Sequence, residues 1–394
     1  LLRYLKSYIC NSVAELRFIT NYTRINMKSL AKFLMFIVYF LMLCTPCTHA
    51  KKQTEFKIQK GVNIGIWLSQ STIMDERREK IFTEDDIKLL VNNGFDHIRL
   101  PVDEVQLFNE DMTLNESTVK ILHNTIKTCL KYNLKVIFDL HIIRAHHFLD
   151  THAALWSNPA EQDKLVEMWK VIQNLLRQYP VTDVAYELLN EAVAPTDEQW
   201  ANLMLRIVKM IRQTEKDRVI VLGANMQNNV AHVKNIKVPE GDKNIILSFH
   251  FYEPLLITHY QASWTPLRIL NFDGPMKYPG QLIPDDVYNK LSDEEKTVVE
   301  PYHHSYDQEW MRQTWSEAIA YAKSKGLMLY LGEFGCLVNC GENIRLAWLK
   351  DVVDLARQNN IPYAVWEYSA QFGFADRWNK GKITNQALMD ILIK

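Results

Sequence analysis

The sequence predicts an α/β protein built as a single closed (β/α)8 TIM barrel, and three observations predict it. From Gly61 onward, eight short β-branched runs alternate with longer amphipathic stretches. Such alternation implies parallel pairing through βαβ crossovers, and eight units in roughly 330 residues close into a barrel more readily than they extend an open sheet. Finally, no Gly/Ser-rich linker and no break in composition divides residues 51–394, which read as one catalytic-type domain.

The strands are expected, in order, at Val62–Ile66, Asp96–Leu100, Lys135–His141, Asp183–Leu189, Arg218–Gly223, Asn244–His250, Leu327–Gly332 and Pro362–Trp366. Helical patterns separate them at Thr83–Asn93, Glu116–Tyr132, Ala160–Gln178, Asp197–Glu215, Gln308–Lys325 and Glu342–Asn359. The weak units are the fifth, where the helix after Gly223 is short or irregular, and the last, near Asn385–Ile393. One connection is unusually long: roughly 55 residues lie between the sixth strand and the helix at Gln308, with Pro254, Pro266, Pro275, Pro279, Pro284 and Pro301 among them. Loops of that length usually have a function, and in a barrel they rise from the face that holds active sites; the alternative is an excursion that packs on the barrel.

Composition bounds the partners. The chain has 394 residues, 47% apolar and 23% charged, with a formal net charge of −1. These values exclude collagen-like, coiled-coil and disordered chains, and no basic stretch calls for nucleic acid. Residues 1–50 carry six Lys/Arg and one Glu, leaving 39 basic and 45 acidic side chains in the main body. A mildly acidic, well-spread surface argues against anionic partners.

Residues 1–26 have no clear pattern and read as an untranslated or disordered leader, with Met27 as the start. Residues 27–50, MKSLAKFLMFIVYFLMLCTPCTHA, read as a secretory signal peptide: two lysines, an apolar run from Phe33 to Cys44, then the small residues Thr48 and Ala50. Twelve apolar residues fall short of the roughly 20 that span a bilayer, although an uncleaved anchor is the alternative, and Cys44 or Cys47 fits a lipid-attachment site poorly. The expectation is export, to the medium, the periplasm or the cell surface. Cys10, Cys44 and Cys47 leave with that segment, while Cys129, Cys336 and Cys340 remain. Three cysteines exclude a disulfide framework, allow one bridge and make a poor zinc site.

The chemistry lies at the carboxyl ends of the strands. Arg99 stands in HIRLP, His141 ends FDLH, Asn190 and Glu191 follow in YELLNEA, His250 and Tyr252 end SFHFYEP, Glu333 ends YLGEFGC and Trp366 stands in AVWEY. Singly, each has a structural alternative as a satisfied polar contact. Together they converge on one barrel mouth, with two glutamates on strands four and seven, nearly opposite. Two facing carboxylates are what glycoside hydrolysis needs: one protonated to donate to the departing oxygen, the other ionised to meet an oxocarbenium-like carbon.

The set Arg99, His141, Asn190, Glu191, His250, Tyr252, Glu333 and Trp366 resembles, in order and strand by strand, the active site of glycoside hydrolase family 5, the large cellulase family. The likeness spans about Gly61 to Trp366. It implies that Glu191 is the acid/base and Glu333 the nucleophile of a retaining mechanism, with carboxyl groups about 5–5.5 Å apart. It further implies that Arg99 and Tyr252 hydrogen-bond Glu333, that His250 sets the proton affinity of Glu191, that Asn190 meets the sugar 2-hydroxyl, that His141 binds another hydroxyl, and that Trp366 forms the sugar platform. One departure stands out: many relatives carry Pro directly after the acid/base Glu, whereas this chain has Ala192, with Pro195 three further on. That puts the leaving-group subsites, though not the chemistry, in question.

Other residues carry two readings. Glu187 shares a strand side with Glu191 and reads as a lower-layer barrel residue. His146 and His147 suggest a metal-dependent hydrolase, but Arg99 and the Asn190–Glu191 pair do not fit such a site, so they read as loop residues lining the cleft and no metal or other cofactor is expected. Trp67, Trp156, Trp264 and Trp378 fall near strand ends or loops, where rings stack on sugars or simply pack; Trp264 and Trp378 are the candidate platforms, and Trp315 reads as core. The overall expectation is a secreted retaining hydrolase of β-linked polysaccharide, foremost an endo-β-1,4-glucanase. Mannan, xyloglucan and β-1,3-glucan are open alternatives, and a transglycosylase or a binding-only barrel is further off. The expected partner is the polysaccharide, with no nucleic acid and no stable protein partner.

Overall fold

The computed structural model describes residues 54–264 and 275–394. The expected leader and signal segment, with Cys10, Cys44 and Cys47, and Pro266 in the long connection lie outside the described residues.

Eight parallel strands close into a barrel: β1 (Lys60–Asn63), β2 (His97–Val102), β3 (Lys135–Leu140), β4 (Val184–Glu187), β5 (Ile220–Gly223), β6 (Ile245–Phe251), β7 (Met328–Phe334) and β8 (Tyr363–Val365). The ring is sealed where Gly61 of β1 pairs with Ala364 of β8 on one side and His97 of β2 on the other. Helices α1 (Glu84–Asn92), α2 (Glu116–Lys131), α3 (Pro159–Leu176), α4 (Asp197–Ile211), α5 (Gln308–Lys325), α6 (Glu342–Gln358) and α7 (Gln386–Ile393) supply the outer layer. As the sequence suggests, the fifth unit lacks a full helix. Met226, Gln227 and Asn228 take left-handed backbone angles there, and only a 3-10 turn at Val230–Asn235 follows.

Strand alternation divides the core into two parts. Val62, Ile98, Leu100, Val136, Phe138 and Leu247 face outward into the large cluster shared with the helices. Ile137, Ala185, Val221, Ile246, Tyr330 and Ala364 face inward, and Phe56 and Ile58 join that inner cluster. Above this apolar layer the same inward side carries Arg99, Asp139 and Glu187, because each lies an even number of residues along from an inward neighbour.

Glu333 breaks that rule. Strict alternation from Tyr330 would turn it away from the interior. The β6–β7 register slips by one residue, so that Phe249 pairs with Leu331 but His250 pairs with Glu333. The irregularity re-aims the carboxylate inward, the usual work of a bulge beside a site. It depends on Gly332, where a Cβ would stand 2.7 Å from Ser248 Oγ.

Element edges differ from expectation in explicable ways. β1 ends at Asn63 instead of Ile66, since Ile66 has φ of 50° and Gly65 passes close against Glu367, whose Oε2 would lie 2.6 Å from any added Cβ. β7 runs two residues further, through Phe334. The latter part of the long connection packs on the barrel exterior: Leu282, Ile283 and Val299 are buried, and the Tyr278 hydroxyl donates to Asp351 of α6 at 2.8 Å. In its first part, Thr258 and His259 stay beside Tyr252 at the mouth: the Thr258 hydroxyl donates to Tyr252 O and the His259 ring lies edge-on to the phenol.

Buried indoles brace the loops that leave the strands. Trp169 of α3 donates to Leu188 O (2.8 Å), Trp200 of α4 to Gly223 O (2.9 Å) and Trp348 of α6 to Glu253 O (3.0 Å). Each satisfies a carbonyl that the sheet no longer can, just where the site begins. Trp67 is likewise buried, donating to Arg78 O, and Trp156 packs edge-on against Trp200 and His146. Neither is free to stack on a sugar. Trp315 is core, as expected.

Candidate active site

The eight residues singled out in the sequence meet at the carboxyl ends of the strands, around one guanidinium. Arg99 is wholly buried and donates through Nη1 to Glu333 Oε1 at 2.6 Å and Asn63 Oδ1 at 2.9 Å. Its Nε and Nη2 clamp Glu187 at 2.7 and 3.1 Å, and Nη2 also reaches Asn190 Oδ1 at 2.8 Å and Asp139 at 3.0 Å. A planar fork with five donors can hold so many acceptors at once, which a lysine cannot. The second oxygen of Glu333 accepts from the Tyr252 hydroxyl at 2.9 Å. Both of its oxygens are therefore held by donors.

Glu191 is placed differently. It lies one residue beyond Asn190 at φ of 44°, a left-handed angle that a non-glycine residue adopts only where the surroundings enforce it. Here they do: Asn190 N–H donates to Leu140 O, Gln227 N–H donates to Ala192 O, and Asn225 bonds both backbone groups of Ala194 at 2.8 and 3.0 Å. The loop that has Ala192 in place of proline is thus tied to the irregular segment after β5. Glu191 Oε1 faces His250 Nδ1 at 2.7 Å, and His250 Nε2 faces Asn228 Nδ2 at 3.1 Å. An amide donor at Nε2 fixes the proton on Nδ1, so His250 donates to Glu191. Single oxygens of Glu191 and Glu333 and a nitrogen of His250 all lie within 4.8 Å of one another.

Trp366 stacks on His141 with centroids 5.6 Å apart and planes 9° from parallel. His141 Nδ1 faces Asp139 Oδ2 at 2.7 Å, while Nε2 is met by Gln70 Nε2 at 3.0 Å and Asn190 Nδ2 at 3.4 Å. A hydroxyl that reaches His141 must therefore take the place of Gln70.

The sequence profile described as cellulase, glycosyl hydrolase family 5, matches residues 53–372. The chain belongs to that family. This glycosyl hydrolase is similar to endoglucanase C of Acetivibrio thermocellus, 30% identical over 340 residues that cover 85% of this chain and 97% of the relative. Cellodextrinase A of Ruminococcus flavefaciens is 28% identical over 329 residues, covering 82% and 86%. Among solved structures, an endoglucanase superposes with TM-score 0.67 at 25% identity, covering 86% of this chain and 97% of that one. A hyperthermophilic endo-β-1,4-glucanase in complex with substrate gives 0.66 at 25%, covering 84% and 97%.

The electrostatics of the family 5 site separate its two carboxyls. Burial raises both. For Glu333 the Arg99 charge, His141 and the Tyr252 hydrogen bond oppose that rise. Glu191 has no bonded guanidinium among the described residues, and after burial the charge of Glu333 pushes it further, well above the usual carboxylate range. Glu333 thus loses its proton first and Glu191 keeps one. Burial drives His250 well below its ordinary value and His141 down to about 4, so both imidazoles are neutral.

Several supporting residues escaped the sequence reading: Asn63, Gln70, Asp139 and Asn228. Asn63 was detectable as a polar residue inside an apolar strand run, and Asp139 as the acid two before His141. Nothing in the sequence marks Asn228, whose approach depends on the left-handed run it ends. Glu187, read as a lower-layer barrel residue, is that and also the bidentate partner of Arg99. Glu367 is another surprise: it is buried, its Oε2 has no hydrogen-bond partner among the described residues, and burial lifts its carboxyl to about 8.

Of the histidines expected to line the cleft, His147 is exposed but His146 is not. His146 is buried behind the Glu191 loop, with Nε2 3.3 Å from Glu191 O, because its ring is enclosed by Trp156. Trp264, 47% exposed, meets the site through His259, whose ring lies edge-on to both Trp264 and Tyr252. Trp378 is 64% exposed on the loop beyond β8, where the neighbouring Arg377 donates to Ile66 O at 2.7 Å.

Proposed function

We propose that this enzyme is a retaining endo-β-1,4-glucanase, exported from the cell, with Glu333 as nucleophile and Glu191 as acid/base. The observation that carries the mechanism is the unequal pair of carboxyls. One oxygen of each lies within 4.8 Å of the other's, closer than the wide spacing of inverting enzymes, and among the described residues Glu333 alone of the two has a guanidinium on one oxygen and a phenol on the other.

In the first step Glu333 attacks the anomeric carbon while Glu191 gives its proton to the glycosidic oxygen, leaving a glycosyl ester on Glu333. The ester carries no charge, so the repulsion that held the proton on Glu191 vanishes and its affinity falls. Glu191 then takes a proton from water, which attacks the anomeric carbon and releases Glu333. Asn190, with Oδ1 held by Arg99 and Nδ2 only 3.4 Å from His141 Nε2, is the residue assigned to the sugar 2-hydroxyl, where hydrogen bonds strengthen in the transition state. Trp366, 7% exposed and with one ring face on His141, has only its remaining surface to offer that sugar. Trp264 and Trp378 are exposed enough to serve as outer platforms.

The choice of β-1,4-glucan is supported by the names of the relatives, an endoglucanase and a cellodextrinase, and export by the signal-like order of residues 27–50. The test is sugar release by the purified chain from soluble β-1,4-glucan, mannan, xyloglucan and β-1,3-glucan, beside Glu333→Gln. Release from β-1,4-glucan that disappears in the variant is the expected result. Release from another polymer alone would replace the substrate, and activity surviving in Glu333→Gln would remove the nucleophile.

A further inference from the structure

We infer that Cys336 and Cys340 are a disulfide-forming pair, a covalent tie in the loop directly behind the strand that presents Glu333. The two Sγ atoms lie 3.2 Å apart, and both side chains are buried, Cys336 fully and Cys340 nearly so. Cys336 lies two residues before the 3-10 turn Val338–Cys340, and Cys340 ends it, between β7 and α6. The tie goes beyond the hydrolytic reading and does not depend on the substrate.

The loop is a structural junction, which gives the bond its consequence. Cys336 O accepts from Arg345 Nε of α6 at 2.9 Å, and Leu337 N–H donates to Thr258 O at 3.0 Å. Thr258 in turn donates through Oγ1 to Tyr252 O at 2.5 Å. Gly335 passes so close to Trp366 that an added Cβ would lie 2.2 Å from its carbonyl oxygen. One short segment therefore touches the backbones behind Glu333, Tyr252 and Trp366.

The chemistry is thiol–disulfide exchange with an external disulfide such as oxidised glutathione. Cys340 is the more reachable sulfur, and its hydrogen bond with Cys336 pulls its thiol below the ordinary range, while burial holds Cys336 well above it. The Cys340 thiolate attacks one sulfur of the oxidant and expels the other as a thiolate, giving a mixed disulfide. Cys336, losing its proton, then attacks Cys340 Sγ and expels the second thiolate. Two cysteine thiols are oxidised, one external disulfide is reduced to two thiols, and the two protons pass to the departing thiolates.

Both sulfurs fall on one tryptic peptide, residues 326–345, so the inference is tested without an activity assay. The full chain is incubated with oxidised glutathione, unfolded, alkylated with iodoacetamide before or after reduction, and digested. The expected peptide carries no alkyl group and is lighter by two hydrogens unless reduced first, when it carries two. Two alkyl groups without reduction, or glutathione retained on either sulfur, would overturn the inference. The oxidised protein should also unfold a few degrees higher than the reduced one, about 2–4 °C for so short a loop. Equal midpoints would refute the tie, and Cys340→Ser, which should lack the difference, serves as the control.

Discussion

Replacing Tyr252 by Phe removes one hydroxyl and leaves the ring in place, so it isolates the donor to Glu333. That hydrogen bond is 2.9 Å long and runs to a carboxylate oxygen that Arg99, bonded to the other oxygen, does not reach. Bonds to charged groups are worth about 1.5–3 kcal/mol, and because Tyr252 is only partly buried, water replaces some of the loss. The lower value, about 1.5 kcal/mol, corresponds to about one pH unit in the affinity of Glu333 for its proton. The sign is fixed: the bond favours the ionised form, so its removal raises the pKa and moves the acidic limb of kcat/KM upward. Below that limb the variant should be about tenfold slower than the parent, with the gap narrowing as pH rises. The assay is kcat/KM against pH on an aryl β-cellobioside. An unmoved or acid-shifted limb with a raised KM would refute the reasoning and leave Tyr252 as a sugar contact only.

Other residues give sharper or broader outcomes. Glu333→Ala should abolish turnover, and added azide should restore a glycosyl azide of inverted configuration; retained configuration, or no product, would count against Glu333 as nucleophile. Glu191→Ala should spare aryl glycosides with good leaving groups far more than polysaccharide, since only a poor leaving group needs the proton; equal losses would remove Glu191 as the acid. Arg218 is fully buried and donates to the carbonyls of Tyr179, Pro180 and Val184 at 2.8, 3.0 and 2.7 Å, besides pairing with Glu215. Arg218→Ala takes a donor from all four, although Pro180 O keeps the Asp183 and Val184 N–H groups and Glu215 keeps the Tyr186 hydroxyl. The loss should cost about 3 kcal/mol in denaturant unfolding, and a cost under about 1 kcal/mol would show that water satisfies the carbonyls instead.

Much of this was legible because strand ends are written locally. An apolar run that stops at a histidine or glutamate announces both the strand and the residue it delivers, which is how Arg99, His141, Glu191, His250 and Glu333 stood out. What stayed hidden depends on long-range geometry. Strict alternation would have turned Glu333 outward, and only the slip opposite His250, permitted by Gly332, brings it in. Asn228 reaches His250 across a left-handed run that no periodicity encodes. The tryptophans divide for a similar reason: Trp67 and Trp156 sit in loop sequence, yet neighbouring helices close over them, whereas Trp264 and Trp378 are left exposed. The long connection showed its length but not its division, since its apolar residues find their burial on helices far along the chain.

The buried Glu367 has a consequence outside catalysis. Its carboxyl holds a proton to about pH 8 in the folded chain, against an ordinary 4.5, so folding takes up a proton between those limits. A group of this sign lends its full share of stability in acid and withdraws it as the medium turns alkaline, on the order of 1.4 kcal/mol per pH unit. Above pH 8 the carboxylate would stand charged beside Gly65, with Arg377 the cation that offsets it. Glu367 thus tilts the balance toward mildly acidic over alkaline surroundings, and the tilt comes from a residue one place beyond the sugar platform.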